Sequence, residues 1–467
     1  MRRPLIFLQP FWFFFLTMNV LAQNKAGIVS GPMLGQVESR TACIWVEVTN
    51  TTKSVSLRYW KKADPESTRT KVFPDDKVGD FKPVQIEIGG LDFNTTYQYM
   101  IMVNGVDAGS GGEFTTKDLW QWRKPVPDFS FLTGSCAYYN EPAFDRKFTN
   151  MISLDQPARP YGGDSSIFEA MARTPAAFML WLGDNWYTRD VDYNSKWGLW
   201  YRASRDRSQP ALQHFLKVMP HYAIWDDHDY GPDNANKSYA LKEESRKIFS
   251  TYWCNPSYGE NGQGIYSKIT YGDADFFLLD DRYFRSSDNM EAMIGGKPNP
   301  SKRMWGPVQV EWLKNGLINS LATFKFIVTG SQVLNPVATN DCLQHYPVEF
   351  NELIQFLGEE KISGILFLTG DTHRSEIIQH KRAGSYTLYD ITTSPLTAGV
   401  SRLSDNVRNN AFRLPGTLVE VQNFSRISIS GKAGERTLKV EYLGISGGKL
   451  AEWSVNENEL NIPVEKK

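Results

Sequence analysis

The sequence predicts an α/β protein in which a small all-β module precedes a larger mixed unit, and three patterns carry that expectation. Short runs of alternating apolar residues fill positions 27–116; six unalternating apolar runs follow from position 129 on, each ending at once in Gly, Asp, Ser or His; and segments of helical spacing lie between those runs. A chain of 467 residues exceeds what one compact core normally organises, so at least two domains are expected.

The first residues read as a signal peptide, 1–22. Arg2 and Arg3 precede a short apolar stretch that ends in small residues at Ala22, and Gln9 and Pro10 leave it too broken to span a bilayer. No second apolar run is long enough to cross a membrane, which implies an exported protein with no transmembrane segment in the mature chain. Residues 23–118 then carry strands at 42–48, 55–60, 84–88 and 97–103 and a last one near Phe114, the spacing of a small β-sandwich. Within it LDFNTTY (91–97) resembles the segment before a late strand in fibronectin type III and related Ig-like folds, where a Tyr hydroxyl returns to the backbone. Two prolines in WQWRKPVP break every periodic pattern and mark a linker at 119–127.

The larger unit is expected over 128–455, with a polar tail at 456–467. Its six runs are 129–133 before GSC, 178–182 before GDNWY, 223–225 before DDHD, 276–279 before DDR, 326–329 before GSQ and 365–369 before GDTH. Continuous apolar strands imply a sheet covered on both faces. Open α/β sheets place their ligands at strand ends, so the six polar clusters should converge on one edge. Helical spacing appears at 307–321 and 348–356. Strands at 418–421, 427–430 and 438–442 should complete a second sheet, a separate C-terminal domain being the alternative.

Composition narrows the function. A net charge of −1 offers no basic surface for a stable nucleic-acid partner. Aromatics at 13% suit wide cores or a polar-ligand cleft. Four Cys are scattered rather than framed: Cys43 lies in a strand pattern, and a bridge between Cys254 and Cys342 is left open.

The chemistry sits in the strand-end clusters. Asp184 follows a strand in GDNWY, where a carboxylate can bridge two cations and Tyr187 can return a phenolate, a hard ligand for a strongly Lewis-acidic ion. Asp226, Asp227, His228 and Asp229 pack three carboxylates about an imidazole, which repel one another unless cations or donors neutralise them. Asp371 and His373 repeat the design in GDTH. Cys136, closing GSC, is a structural thiol taken alone and a thiolate ligand beside the other clusters. Asn234 and Asn236 lie just beyond the DDHD turn and can serve the second ion or act only as turn residues. Arg282 and Arg285 can clamp phosphate or form structural ion pairs with Asp280 or Asp281.

The order of the motifs GSC, LGDNWY, IWDDHDYGPDNAN, FFLLDDRYFR, WGPVQVEWL, GSQVLNP, LTGDTHRSE and YDITTSPLTAG over 128–441 resembles the alkaline phosphatase D family (PhoD-like phosphatases) of the metallophosphoesterase superfamily. That resemblance implies a four-layer αββα catalytic domain after the sandwich, and metal ligation by Cys136, Asp184, Tyr187, Asp227, Asp371 and His373. Asp227 stands where many relatives of the superfamily carry the Asn of a GNH turn, and Asp371 where they carry a His. More oxygen ligands and a thiolate suggest iron(III) at one site and calcium or another divalent ion at the other. The expected activity is hydrolysis of small phosphomonoesters or phosphodiesters by in-line attack of a metal-activated water, with His228 stabilising charge or protonating the leaving group. Alternatives are a phospholipid-cleaving phosphodiesterase on the same fold and a non-catalytic exported binding protein.

Overall fold

The computed structural model describes residues 27–73, 79–141, 155–156, 159–338 and 341–463; the expected signal peptide lies outside them. The N-terminal module consists of two antiparallel sheets. One holds Ile28–Val37, Thr41–Val48 and Pro83–Gly89; the other runs in the order Asp64–Phe73, Val55–Lys61, Thr96–Val103, Val106–Thr115. Alternating residues such as Ile44, Ile86, Leu57, Tyr99 and Ile101 face inward and fill a core of their own. The Tyr97 hydroxyl accepts the Asp92 amide at 3.0 Å, the backbone return expected from LDFNTTY.

The module docks on the larger unit through satisfied polar contacts. Glu47 accepts the Ser204 hydroxyl at 2.7 Å, and Gln85 donates to the carbonyls of Ser250 and Trp253, each at 2.7 Å. Arg207 adds a cation–π contact at 5.5 Å from the ring of Trp45 in the module.

Two six-stranded sheets form the larger unit. The first runs His221–Ile224, Met179–Leu182, Phe129–Gly134, Asn423–Ser430, Thr437–Gly444, Lys449–Asn456; the second runs Ser267–Tyr271, Ala274–Leu278, Phe324–Val328, Ile365–Thr369, Leu388–Thr392, Glu376–His380. All six predicted apolar runs contain strands, parallel within each sheet. They are divided three and three between the sheets rather than set along one edge. The sheets meet through aromatic rings: Phe131 contacts Phe276 and Phe326 edge-on at 5.0 and 5.6 Å, and Phe178 contacts Phe276 at 5.4 Å. Side chains of opposite parity reach helices. Trp181 packs on Phe168 of Ile167–Arg173 and on Phe215 of Pro210–Val218, while Phe277 packs on Trp312 of Pro307–Asn319.

The late strands extend the first sheet, Asn423–Ser430 pairing antiparallel with Phe129–Gly134. Positions 418–421 form no strand; Val419 makes only an isolated bridge to Ser375. The stretch expected as a tail begins with a capped turn, Glu457–Leu460, whose Leu460 is fully buried. All four thiols are free, and Cys254 lies beside Cys43 and against Gly35 rather than bonded to Cys342. No described helix is long and apolar enough to cross a membrane.

Candidate metal centre

The strand ends of both sheets turn their polar residues into one place, and the backbone is contorted to do it. Cys136, Asp184, Asn234, Asp371 and His373 have φ of 60°, 52°, 56°, 65° and 52°. This left-handed region is costly for residues other than Gly, and such conformations persist where the surroundings over-determine them. Gly183, with φ of 92°, has no substitute: a Cβ there would stand 2.7 Å from Asp226 Cβ.

Around Asp184 the first group of donors assembles. The Tyr187 hydroxyl lies 3.1 Å from Asp184 Oδ2 and 3.1 Å from His373 Nε2, and Cys136 Sγ lies 3.5 Å from the same carboxylate oxygen. His373 Nδ1 is 2.6 Å from the Gly399 carbonyl, which holds the ring proton on Nδ1 and leaves the Nε2 lone pair facing this group. The Ser394 hydroxyl donates to Cys136 Sγ at 3.1 Å, a bond that favours the thiolate.

The three carboxylates of the DDHD turn divide their work. Asp229 accepts the amides of Asn185 at 2.9 Å and Asp226 at 3.0 Å, so it shapes the turn. Asp226 takes Arg282 Nε at 2.5 Å. Asp227 accepts the Asn234 amide at 2.7 Å through Oδ2, while its buried Oδ1 has no hydrogen-bond partner among the described residues. His228 stacks on Tyr187 with ring centroids 4.1 Å apart, and its Nε2 is 3.7 Å from Asp233 Oδ1.

Three sets of ligand atoms each fall within 4.8 Å of one another: Cys136, Asp184 and His373; Asp184, Asp227 and His228; and Asp226, Asp227 and Asp371. The electrostatics show what the protein alone leaves uncompensated. Burial, then Cys136 and the neighbouring carboxylates, push Asp184 well above the usual carboxylate range. Asp371 is pushed up to about 7 by burial and by Asp341 and Asp227. Burial raises the Cys136 thiol to about 11. Burial also works against ionised Asp227, yet His228, Arg282 and the Asn234 amide together hold it below its ordinary value. A buried, mutually repelling set of carboxylate, thiol, phenol and imidazole, in which Asp227 Oδ1 accepts no hydrogen bond and has only Arg282 at 3.8 Å, fits two cations.

Asp227, His228, Asp371 and His373 line a cavity of about 520 Å³, within the usual range for a small-molecule site. Arg282 and Arg285 are fully buried and absent from its wall. Arg282 pairs with Asp226 and, at 2.5 Å, with Asp341; Arg285 pairs with Asp341 and, at 2.8 Å, with Asp288. The sequence-level expectation of side-chain pairs with Asp280 or Asp281 is therefore corrected. Asn234 approaches the centre through its backbone, whereas Asn236 accepts the Ser238 amide at 3.0 Å and lines a neighbouring cavity. Sequence reasoning missed Asp341, Tyr161 and Arg402, which also line the main cavity. None of them follows an apolar run directly, so the strand-end signal passes them by.

Comparison with known proteins gives the family and the fold. Residues 131–417 match the family described as PhoD-like phosphatase, and residues 25–113 match a domain of unknown function, DUF7800. Alkaline phosphatase D of Bacillus subtilis (strain 168) is 25% identical over 341 residues, covering 62% of this chain and 53% of the relative, so the match spans about half of that protein's length. A solved structure described as PhoD superposes with a TM-score of 0.72 at 18% identity, over 94% of this chain and 91% of the other, which establishes a shared fold. With a family match over most of its length and a common fold, this chain belongs to the PhoD-like phosphatase family.

Proposed function

We propose that this chain is an exported, metal-dependent phosphoesterase that hydrolyses phosphomonoesters, phosphodiesters or both. The observation that carries the reading is the convergence of Asp184, Asp227 and Asp371, buried or nearly so, with Cys136, Tyr187 and His373, where Asp227, Asp371 and His373 open onto one cavity. Cys136, Asp184, Tyr187 and His373 would hold one ion, and Asp184, Asp227 and Asp371 the other. Thiolate and phenolate donors favour iron(III) at the first; an all-oxygen set favours calcium or another hard divalent ion at the second. When bound, the pair supplies Lewis acidity that polarises phosphoryl oxygens and makes water a nucleophile at neutral pH.

The chain's own residues supply position and protons. His228 lines the cavity; burial lowers its basicity, Asp227 and Asp233 oppose that, and a proton held at Nε2 beside Asp233 can pass to the departing alkoxide. Tyr187 braces the imidazole by stacking. Arg282 holds Asp226 and Asp341, and through them the turn that presents Asp227.

The same reading assigns 1–22 as a signal peptide, 23–118 as sandwich, 119–127 as linker and 128–455 as catalytic domain, with helices outside two packed sheets in four αββα layers. Ring contacts of Trp181 and Phe277 with helices on faces away from the sheet–sheet interface support the layering.

Hydrolysis of p-nitrophenyl phosphate and bis-p-nitrophenyl phosphate by purified protein, with and without chelator, tests the proposal when paired with mass-spectrometric metal analysis. Turnover that chelation abolishes and metal restores is expected. Full metal content without turnover would favour the binding-protein alternative, and chelator-insensitive turnover would refute metal dependence.

A further inference from the structure

We infer that Arg402 is the residue that grips the substrate's phosphate from the cavity mouth, an inference that rests on the phosphoesterase reading and adds a substrate contact to it. A phosphate group entering this site meets Asp227, Asp233, Asp341 and Asp371 on the wall. Asp227 and Asp371 would offset much of the charge of bound cations, so an entering anion gains from further positive charge that is not already spent. Arg282 and Arg285 cannot provide it, being fully buried, absent from the wall and already paired with Asp341. Of the two arginines that line the cavity, Arg374 is committed: its Nε and Nη2 reach Glu376 Oε1 at 3.0 and 2.8 Å, and its Nη1 donates to the Thr372 carbonyl at 3.3 Å.

Arg402 differs on each count. It is exposed, it lines the cavity, and its guanidinium makes no hydrogen bond or ion pair with any described residue. The backbone that carries it is nevertheless fixed to the metal centre. His373 Nδ1 bonds the Gly399 carbonyl at 2.6 Å, and the Ser401 amide donates to the His373 carbonyl at 3.2 Å. On the other side the Ser404 hydroxyl caps the short helix Asp405–Arg408, which Arg408 ties to Glu420 through bonds of 2.9 and 2.7 Å. A free guanidinium on a stem tied to His373 is thus held at the rim of an acidic cavity without having collapsed onto a carboxylate. Its planar fork matches two oxygens of a phosphate, which a lysine ammonium would meet only as a point charge.

The test uses full-length, metal-loaded protein and the variants Arg402→Ala and Arg402→Lys, with p-nitrophenyl phosphate as substrate and inorganic phosphate as inhibitor. Losing a charge-assisted hydrogen bond should lower kcat/KM by about 10-fold to 100-fold in Arg402→Ala and weaken phosphate inhibition by a similar factor. Arg402→Lys should recover part of both, with metal content and melting temperature unchanged in either variant. If KM and phosphate inhibition stay at wild-type values in Arg402→Ala, the inference is overturned. If the wild type itself shows no turnover, the phosphoesterase reading fails separately. Calorimetric titration of inorganic phosphate into the metal-loaded proteins then still decides the role of Arg402, supporting it if the variant loses phosphate affinity and overturning it if affinity is equal.

Discussion

Replacing Arg282 with Met should destabilise the catalytic domain by about 3–5 kcal/mol, the usual cost of removing one partner from a buried ion pair. Arg282 and Asp226 both have 0% side-chain exposure, their closest approach is 2.5 Å, and Asp341 holds the same guanidinium from the other side at 2.5 Å. Removing the cation leaves Asp226 without its charge partner in a space that water does not reach, while Asp341 on the cavity wall keeps only Arg285. That penalty is about a fifth or more of a typical folding free energy of about 5–15 kcal/mol. Urea unfolding of Arg282→Met, Asp226→Asn and the double variant forms a thermodynamic cycle. Each single change should cost several kcal/mol, and the double should recover a coupling energy of about 1–3 kcal/mol. KM for a phosphomonoester should change little in any Arg282→Met protein that remains folded and metal-loaded. Near-wild-type stability combined with a large rise in KM would refute this reasoning and return Arg282 to a place on the substrate.

Three further outcomes follow from the same structure. Burial raises Glu47 from 4.5 to about 7 against the opposing help of Ser204, Tyr252 and Arg207, so the folded state holds its proton more tightly than the unfolded chain. Its contribution of about 3 kcal/mol should be complete below pH 4.5 and disappear as pH rises through about 7; Glu47→Gln should flatten the stability profile across that window, and an unchanged profile would contradict the assignment. Phe131→Ala, which empties the ring contacts joining the two sheets, should cost about 3–5 kcal/mol in chemical denaturation, whereas a cost near zero would mean that the sheets do not rely on this contact. In iron(III)-loaded protein a phenolate charge-transfer band should colour the wild type and vanish in Tyr187→Phe, and a band that survives the substitution would remove Tyr187 from the ligand set.

The legible part of the fold was that in which side-chain period and burial coincide. Runs such as Ile365–Thr369 are apolar at every position before the final Thr and are buried throughout, so they identify themselves. In Ile28–Val37 Gly31 and Pro32 break the alternation that marks a strand, and Asp64–Phe73 is an exposed edge strand that stays polar until Val72. Positions 418–421 misled in the other direction: the apolar pair Leu418 and Val419 buys no sheet neighbour beyond one bridge to Ser375. Division of the parallel strands between two sheets was likewise hidden from any reading of the runs themselves, since pairing partners are distant in sequence. At the centre, Asp184, Asp227, Asp371 and His373 were visible because strand ends concentrate polar residues. Which carboxylate of the DDHD turn faces the cavity was not, because it depends on Arg282 and the Asn185 amide, which claim Asp226 and Asp229 first. Asp341 and Arg402 come from loops with no period to mark them.

The central claim is that Asp184 is shared by two cations, and anomalous diffraction from crystals of the metal-loaded protein tests it most directly. Two peaks about 3.5–4 Å apart are expected, one against Cys136, Tyr187 and His373 and the other against Asp227 and Asp371, with Asp184 touching both. A fully loaded crystal with no peak within coordinating distance of Asp184, or with only one, would contradict the account.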